Sequence, residues 1–320
     1  MIGIGAGQCA AVTGQHNNFL GTYAGKCASG SGANNNFLGF CAGFNNTTGG
    51  FNNFFGYAAG YCNTTGGFNN FFGYAAGYCN TTGGCNNFIG RDAGFSNTTG
   101  CYNNFLGKDA GRNNTNGSNN NFLGKDAGCS NTTGGCNNFL GNGAGKCNTT
   151  GSFNNFLGNN AGQFNTTGNR NNFFGCNAGK SNTTGNQNTF IGAEAGGFNT
   201  SGCNNIFIGG EQTGRCNTTG SYNTFLGNEA GRYNTTGVCN NFIGPNAGLA
   251  NTTGSCNNMI GIGAGRCATV TGQHNTFLGT YAGKCASGSG GFNNFMGFCA
   301  GYYNTTGTFN NFFGFSAGRN

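Results

Sequence analysis

The hydrophobic and polar positions of this chain recur with a period of 17 residues. Two adjacent apolar residues are followed by a glycine, a polar Asn-Thr-Thr-Gly stretch closes the unit, and residues 51–67 are repeated letter for letter as residues 68–84. Numbered from its first Asn, the consensus is N-N-F-[LFI]-G-x-x-A-G-x-x-N-T-T-G-x-x, and positions 1 to 17 denote its places. The glycine of position 5 occurs 19 times from Gly3 to Gly314; 13 of the 18 intervals are 17 residues and five are 18.

A unit of this length predicts a parallel β-solenoid. Helical repeats need about 30 residues or more, and helix interiors do not accept three or four glycines per unit. Short units punctuated by glycine are typical of coils whose strands pair with equivalent strands about 4.8 Å away. We therefore predict an all-β parallel β-solenoid with one coil per 17–18 residues and about 18–19 coils, a single continuous array over residues 1–320. Glycines at positions 5 and 9 are expected at corners that need positive φ or close backbone approach.

Equivalent residues of successive coils stack into ladders in such a solenoid. Position 1 is Asn in all 18 instances, and position 3 is Phe except at Met1 and Met259. Stacked Asn side chains can hydrogen-bond along the axis. We therefore predict structural ladders that include Asn52, Asn69, Asn86 and Asn103, and Phe54, Phe71, Phe88 and Phe105.

Positions 3 and 4 are both apolar in every coil, although adjacent strand residues point to opposite faces. Either position 4 lies in the bend made by the following glycine, or the strand is buried on both sides. We favour the second interpretation, in which other copies of the chain pack laterally or end to end. Residues 1–62 match residues 259–320 at 49 of 62 positions, which indicates block duplication and an excerpt of a longer tandem array.

The composition excludes several classes of protein. The chain has 68 Gly, one Pro, 18 Cys and only 6% charged residues, which suits neither a disordered chain nor collagen. No stretch approaches the roughly 20 apolar residues of a membrane helix, and no signal peptide is visible at the start. The net charge of +7 is spread at about one basic residue per repeat, so we expect no nucleic-acid partner and no membrane insertion.

Cysteines recur at positions 11 and 17. Coils about 4.8 Å apart lie within the Cα range that a disulfide accepts, roughly 4.4–6.8 Å. Inter-coil disulfides are therefore possible for four pairs in consecutive coils, namely Cys9 with Cys27, Cys62 with Cys79, Cys239 with Cys256, and Cys267 with Cys285. The alternative, in which Cys serves as a small buried hydrophobe, stays open. Zinc is disfavoured because no C-x-x-C spacing exists and only His16 and His274 could assist.

Two further patterns each have a functional and a structural interpretation. Asn-Thr-Thr makes Asn63, Asn80 and Asn97 possible glycosylation sites in a secreted protein, but a turn stabilised by Asn and Thr is the favoured alternative. Acidic residues at position 7 lie next to basic ones at positions 6 and 10, so surface ion pairs are favoured over a Ca²⁺ site. No catalytic constellation or cofactor motif is found, and we predict no catalytic residues, metal ligands or cofactors.

The units "FIGRDAGFSNTTG" (88–100) and "FLGKDAGRNNTNG" (105–117) resemble the head repeats of trimeric autotransporter adhesins. Similar repeats occur in bacterial and phage fibre proteins. The resemblance implies a left-handed parallel β-roll, three chains packed side by side, and an extracellular or cell-surface fibre used for adhesion. We therefore predict a non-enzymatic structural protein that forms an extracellular fibre or filament shaft. The alternative is an ice-binding β-solenoid, because regular Thr rows and low charge suit an ice-facing surface.

Overall fold

The computed structural model describes residues 1–8, 13–267, 272–286, 290–305 and 307–319. They form two units, Met1–Asn159 and Asn160–Asn320. Each unit is a parallel β-solenoid with nine short strands, and no helix occurs in the ranges just given. The predicted fold class is therefore confirmed. The single continuous array over residues 1–320 stays a prediction.

The first unit contains strands β1 to β9. Their bounds are Asn18–Leu20, Asn36–Leu38, Asn53–Phe55, Asn70–Phe72, Asn87–Ile89, Asn104–Leu106, Asn121–Leu123, Asn138–Leu140 and Asn155–Leu157. Each strand pairs in parallel with the next, and equivalent positions are partners, as in Asn70 with Asn87 and Phe71 with Phe88. An additional bridge joins Ile2 to Leu20.

The second unit contains strands β10 to β18. Their bounds are Asn172–Phe174, Thr189–Ala193, Ile206–Glu211, Thr224–Leu226, Asn241–Ile243, Asn258–Ile260, Thr276–Leu278, Asn294–Met296 and Asn311–Phe313. The pairing is again parallel and in register, with one irregularity. An extra residue in the Gly-Gly-Glu-Gln-Thr-Gly stretch lengthens β12, and the register with β11 shifts between Ile191 and Ala193. This insertion is therefore accommodated at the end of a strand as a bulge.

The core of each unit is a file of Phe side chains packed on a file of Ala. The position-3 residues Phe54, Phe71, Phe88 and Phe105 are fully buried, and their ring centroids lie 4.8 Å apart with interplanar angles of 4° to 6°. Ala at position 8 is equally buried. Burial of each Phe stabilises the coil by about 1.5–3 kcal/mol, and the hydrophobic interior repeats with every coil.

Left-handed backbone shapes the corners of every coil. Gly56 at position 5 has φ +144°, and a Cβ there would clash with the carbonyl of Gly73 in the next coil. Positions 7 and 17 also have positive φ without being glycine, for example +53° at Ala58 and +59° at Phe51. Such residues cost roughly 1–2 kcal/mol each, so the packing between coils must compensate for this strain.

Candidate functional site

The buried Asn ladder of position 1 joins side chains to backbone. Asn86 Oδ1 accepts a hydrogen bond from the backbone N–H of Asn103 at 2.9 Å, and Asn86 Nδ2 donates to the carbonyl of Gly100 at 2.8 Å. The backbone N–H of Asn86 donates in turn to Asn69 Oδ1 at 3.0 Å. Asn52, Asn69, Asn86 and Asn103 are all fully buried. The structure thus brings the predicted Asn residues together, through bonds that link each side chain to the next backbone.

Two further Asn ladders were missed as ladders by sequence reasoning. At position 12, which is buried, Asn80 Nδ2 donates to Asn63 Oδ1 of the preceding coil at 2.7 Å. At position 2, on the outside of the sheet, Asn70 Nδ2 donates to Asn87 Oδ1 of the following coil at 2.8 Å. The recurrence of Asn at both positions was the available signal. The two ladders run in opposite directions along the axis, so their amide dipoles oppose each other.

The Asn-Thr-Thr stretch is a structural turn. Asn63, Asn80 and Asn97 are fully buried. Asn63 Nδ2 donates both to Asn46 Oδ1 at 2.7 Å and to the carbonyl of Gly66 at 2.9 Å, which uses both hydrogens of the amide that a glycan would modify. The hydroxyl of Thr64 donates to the carbonyl of Thr81 at 3.1 Å. The folded structure therefore argues against the predicted glycosylation sites and favours the turn.

The predicted disulfide pairs lie in equivalent places of adjacent coils where both members are described. Cys62 and Cys79 are half-buried thiols, and burial raises the pKa of each. The pKa of Cys285 is raised by burial and then by the Cys267 thiol, with which it shares a hydrogen bond.

Cys239 and Cys256 are exposed thiols. Cys9 lies outside the described residues, so the structure says nothing of the pair of Cys9 with Cys27. All four cross-links stay predictions.

The carboxylates of position 7 are paired with basic side chains. Asp92 lies 3.5 Å from Arg91 Nε, and Asp109 lies 3.6 Å from Lys108 Nζ. In the second unit Glu194 lies 2.8 Å from Arg215 Nε. Ion pairing is therefore what the structure shows for these residues. Within the described ranges no group of three or more His, Cys, Asp or Glu residues is placed to hold a metal ion.

A row of apolar side chains lies on the outside of the sheet. Position 4 is the last residue of most strands, and its side chain points away from the Phe core, with exposed fractions such as 44% at Ile89 and 37% at Leu106. Position 2, on the same side, carries the outer Asn ladder. We call positions 2 and 4 of the strands the outer sheet face. Because position 4 is exposed within the chain, any cover must come from outside the described coil.

Aromatic side chains form shorter surface files at positions 6, 10 and 17. Tyr57 stacks on Phe40 and Tyr74 with ring centroids 5.1 and 5.0 Å apart, and Phe51 stacks on Phe68 at 4.9 Å. Each stacked pair adds about 0.5–1.5 kcal/mol beyond area burial. The ring faces cover one another, so these files present ring edges to solvent.

One pocket lies beside the bulge of the second unit. Its volume is about 240 Å³, and it is lined by Cys176, Asn177, Ala193, Glu194, Glu211 and Gln212. The carboxylate of Glu194 is paired with Arg215, which reduces its capacity to act as a base or to bind a cation. The outer sheet face, which recurs in every strand, is therefore the stronger candidate for a functional surface.

Fold and surface define a tandem-repeat parallel β-solenoid rich in Asn. Comparison of the chain with protein-family models, curated proteins and solved structures finds no match. The resemblance to adhesin head repeats therefore rests on the repeat pattern alone. No helix of the described residues is long and apolar enough to cross a membrane.

Proposed function

We propose that this chain is a non-enzymatic structural protein that associates with further copies of itself to form an extracellular fibre or filament shaft. The observation that carries the proposal is the outer sheet face, where every strand presents an apolar residue at position 4. Contiguous exposed apolar surface is unusual on monomers and marks interaction sites. An adhesive role and the three-chain arrangement implied by the resemblance are special forms of this function.

The bonding between coils also suits a load-bearing shaft. Between residues 69–85 and 86–102, backbone bonds join the corner (Gly77 N–H to the Ala93 carbonyl, 2.9 Å) and the turn (Thr81 N–H to the Thr98 carbonyl, 3.0 Å). The Asn ladders add side-chain bonds along the same axis. A force along the axis would therefore load many parallel hydrogen bonds at once.

Electron microscopy and sedimentation velocity of the purified chain test the proposal. We expect oligomers or filaments whose size grows with protein concentration, because the outer sheet face is exposed in each separate copy. Antibody labelling of intact source cells tests the extracellular location. A chain that sediments as a monomer at every concentration would contradict assembly, and labelling seen only after permeabilisation would contradict the location.

Ice binding is the second candidate function. The Thr residues of position 14, such as Thr65, Thr82 and Thr99, are exposed and recur once per coil, about 4.8 Å apart. The Thr residues of position 13 donate their hydroxyls to carbonyls of the next coil, so only one file of hydroxyls per turn faces water. We therefore favour the fibre. A thermal hysteresis assay decides directly, and clear hysteresis at micromolar protein would favour ice binding.

A further inference from the structure

We infer that the outer sheet face of one chain packs face to face against the outer sheet face of a second copy, so that assembly is lateral. The inference rests on the proposed function and specifies the surface through which the fibre forms. It commits to a second copy of this chain as the partner. Four features of the outer sheet face support this choice.

The first feature is charge. No charged residue occupies position 2 or position 4 in any of the 18 strands, whereas 13 basic and 6 acidic residues lie elsewhere in the chain. Each copy carries a net charge of +7, and two copies repel each other least where their facing surfaces are uncharged. A partner recognised through charge would find no complement on this face.

The second feature is spacing. Side chains of the outer sheet face repeat at the coil spacing, which the core rings set at 4.8 Å. A second copy has the same spacing, so each of its rows can lie in register with a row of the first along the whole contact. Paired sheets of identical repeats form dry, interdigitated interfaces of this kind. A partner with another repeat would lose register within a few coils.

The third feature is shape. Over β1 to β3 a groove of about 220 Å³ runs along the face, lined by Asn18, Leu20, Asn36, Phe37, Leu38 and Phe55. Its walls are the Asn row and the apolar row. An apolar row of the second copy fits between them, so that Leu or Phe side chains of one copy fill the depression of the other.

The fourth feature is hydrogen bonding. Asn87 Nδ2 donates one hydrogen to Asn104 Oδ1 at 2.8 Å, while Asn87 Oδ1 accepts from Asn70 Nδ2 at 2.8 Å. An amide has a second hydrogen and a second lone pair. Because the ladder already fixes the orientation of each amide, the second hydrogen and lone pair are presented in a regular row. An identical row of the second copy can satisfy both.

The contact area makes this association dependent on length. Three strand residues span about 10 Å and coils lie about 4.8 Å apart, so the nine strands of one unit offer roughly 430 Å² of flat face. Stable interfaces use about 800 Å² per partner. A contact through one unit alone falls short of that value, so lateral pairing should strengthen steeply as more coils take part.

A charge-insertion experiment on the full chain tests the inference. The variant Leu106→Lys with Leu123→Lys places two like charges on the outer sheet face at positions that are 37% and 38% exposed, so each Lys can reach water in the separate chain. The control Thr99→Lys with Thr133→Lys adds the same charge at exposed position 14 of the same unit. Sedimentation velocity gives the apparent dissociation constant, and circular dichroism verifies the fold.

We expect the outer-face variant to associate roughly 100-fold more weakly than wild type and the control to associate normally. If the Lys variant does not fold, Leu106→Asn with Leu123→Asn removes the apolar row without charge, and weaker association is again expected. Wild-type-like filaments from a folded outer-face variant would overturn the lateral contact while leaving the fibre function intact. A wild-type chain that stays monomeric would overturn both.

Discussion

Replacing Asn86 by Leu should destabilise the solenoid locally, because Asn86 makes buried bonds that no apolar side chain can replace. The substitution removes the acceptor of the Asn103 backbone N–H and the donor to the Gly100 carbonyl, at 2.9 and 2.8 Å. Asn103 is fully buried, so water cannot reach its N–H in the folded coil. Asn97 Nδ2 still donates to the Gly100 carbonyl at 3.0 Å.

The magnitude follows from these bonds. An unsatisfied buried N–H costs about 1–3 kcal/mol, and the lost bond to Gly100 costs about 0.5–1.5 kcal/mol because that carbonyl retains one donor. We therefore expect a loss of roughly 2–4 kcal/mol in the local free energy of unfolding. The matched control is Asn87→Leu, which breaks two ladder bonds on the outer face. Water replaces those bonds, so the control should lose only about 0–1 kcal/mol.

Native-state hydrogen exchange is the suitable assay, because repeat proteins open locally and a single global value averages over the array. Protection of the amides of residues 86–104 should fall by about two orders of magnitude or more in the Asn86 variant and by less than tenfold in the control. Equal losses in the two variants, or unchanged protection at Asn103, would refute the assignment of stability to the buried ladder.

Three further predictions concern the corners, the turn and the thiols. At Cys136, an exposed residue with φ +56°, Gly should be more stable than Ala by about 1 kcal/mol in denaturant titrations, because only Gly adopts left-handed backbone without cost; equal stability would contradict the strain. Expression in a glycosylating cell should leave Asn63 unmodified in the folded chain, as mass spectrometry of its peptides can show, because its amide is buried and both hydrogens are bonded. Burial raises the pKa of Cys62 and Cys79 above their ordinary value near 9, so the folded chain keeps protons that the unfolded chain releases. That stability is present below the unfolded pKa and is lost as pH rises through the folded one, so the denaturation midpoint should fall between about pH 8 and 10, and less so in a Cys62→Ser, Cys79→Ser variant.

The tertiary structure was partly foreseeable from recurrence, because a residue that stacks on its own copies must tolerate itself as a neighbour. That requirement identified Phe88 as core and Asn86 as part of a ladder. It did not reveal that positions 7 and 17 adopt left-handed backbone, since Ala58 and Phe51 are not residues that favour it. Only the path of the whole coil, which must close within 17 residues, imposes that conformation.

The sequence by itself determined the period, the strand positions and the parallel pairing, because each depends on residues that repeat at one fixed spacing. The tertiary structure alone decided which polar residues are available for function. Asn63 and Asn87 are both Asn in a recurring motif, yet the first is buried with its amide hydrogens bonded and the second lies on the outer sheet face. The difference arises from contacts with coils 17 residues away in the sequence, which local patterns do not specify.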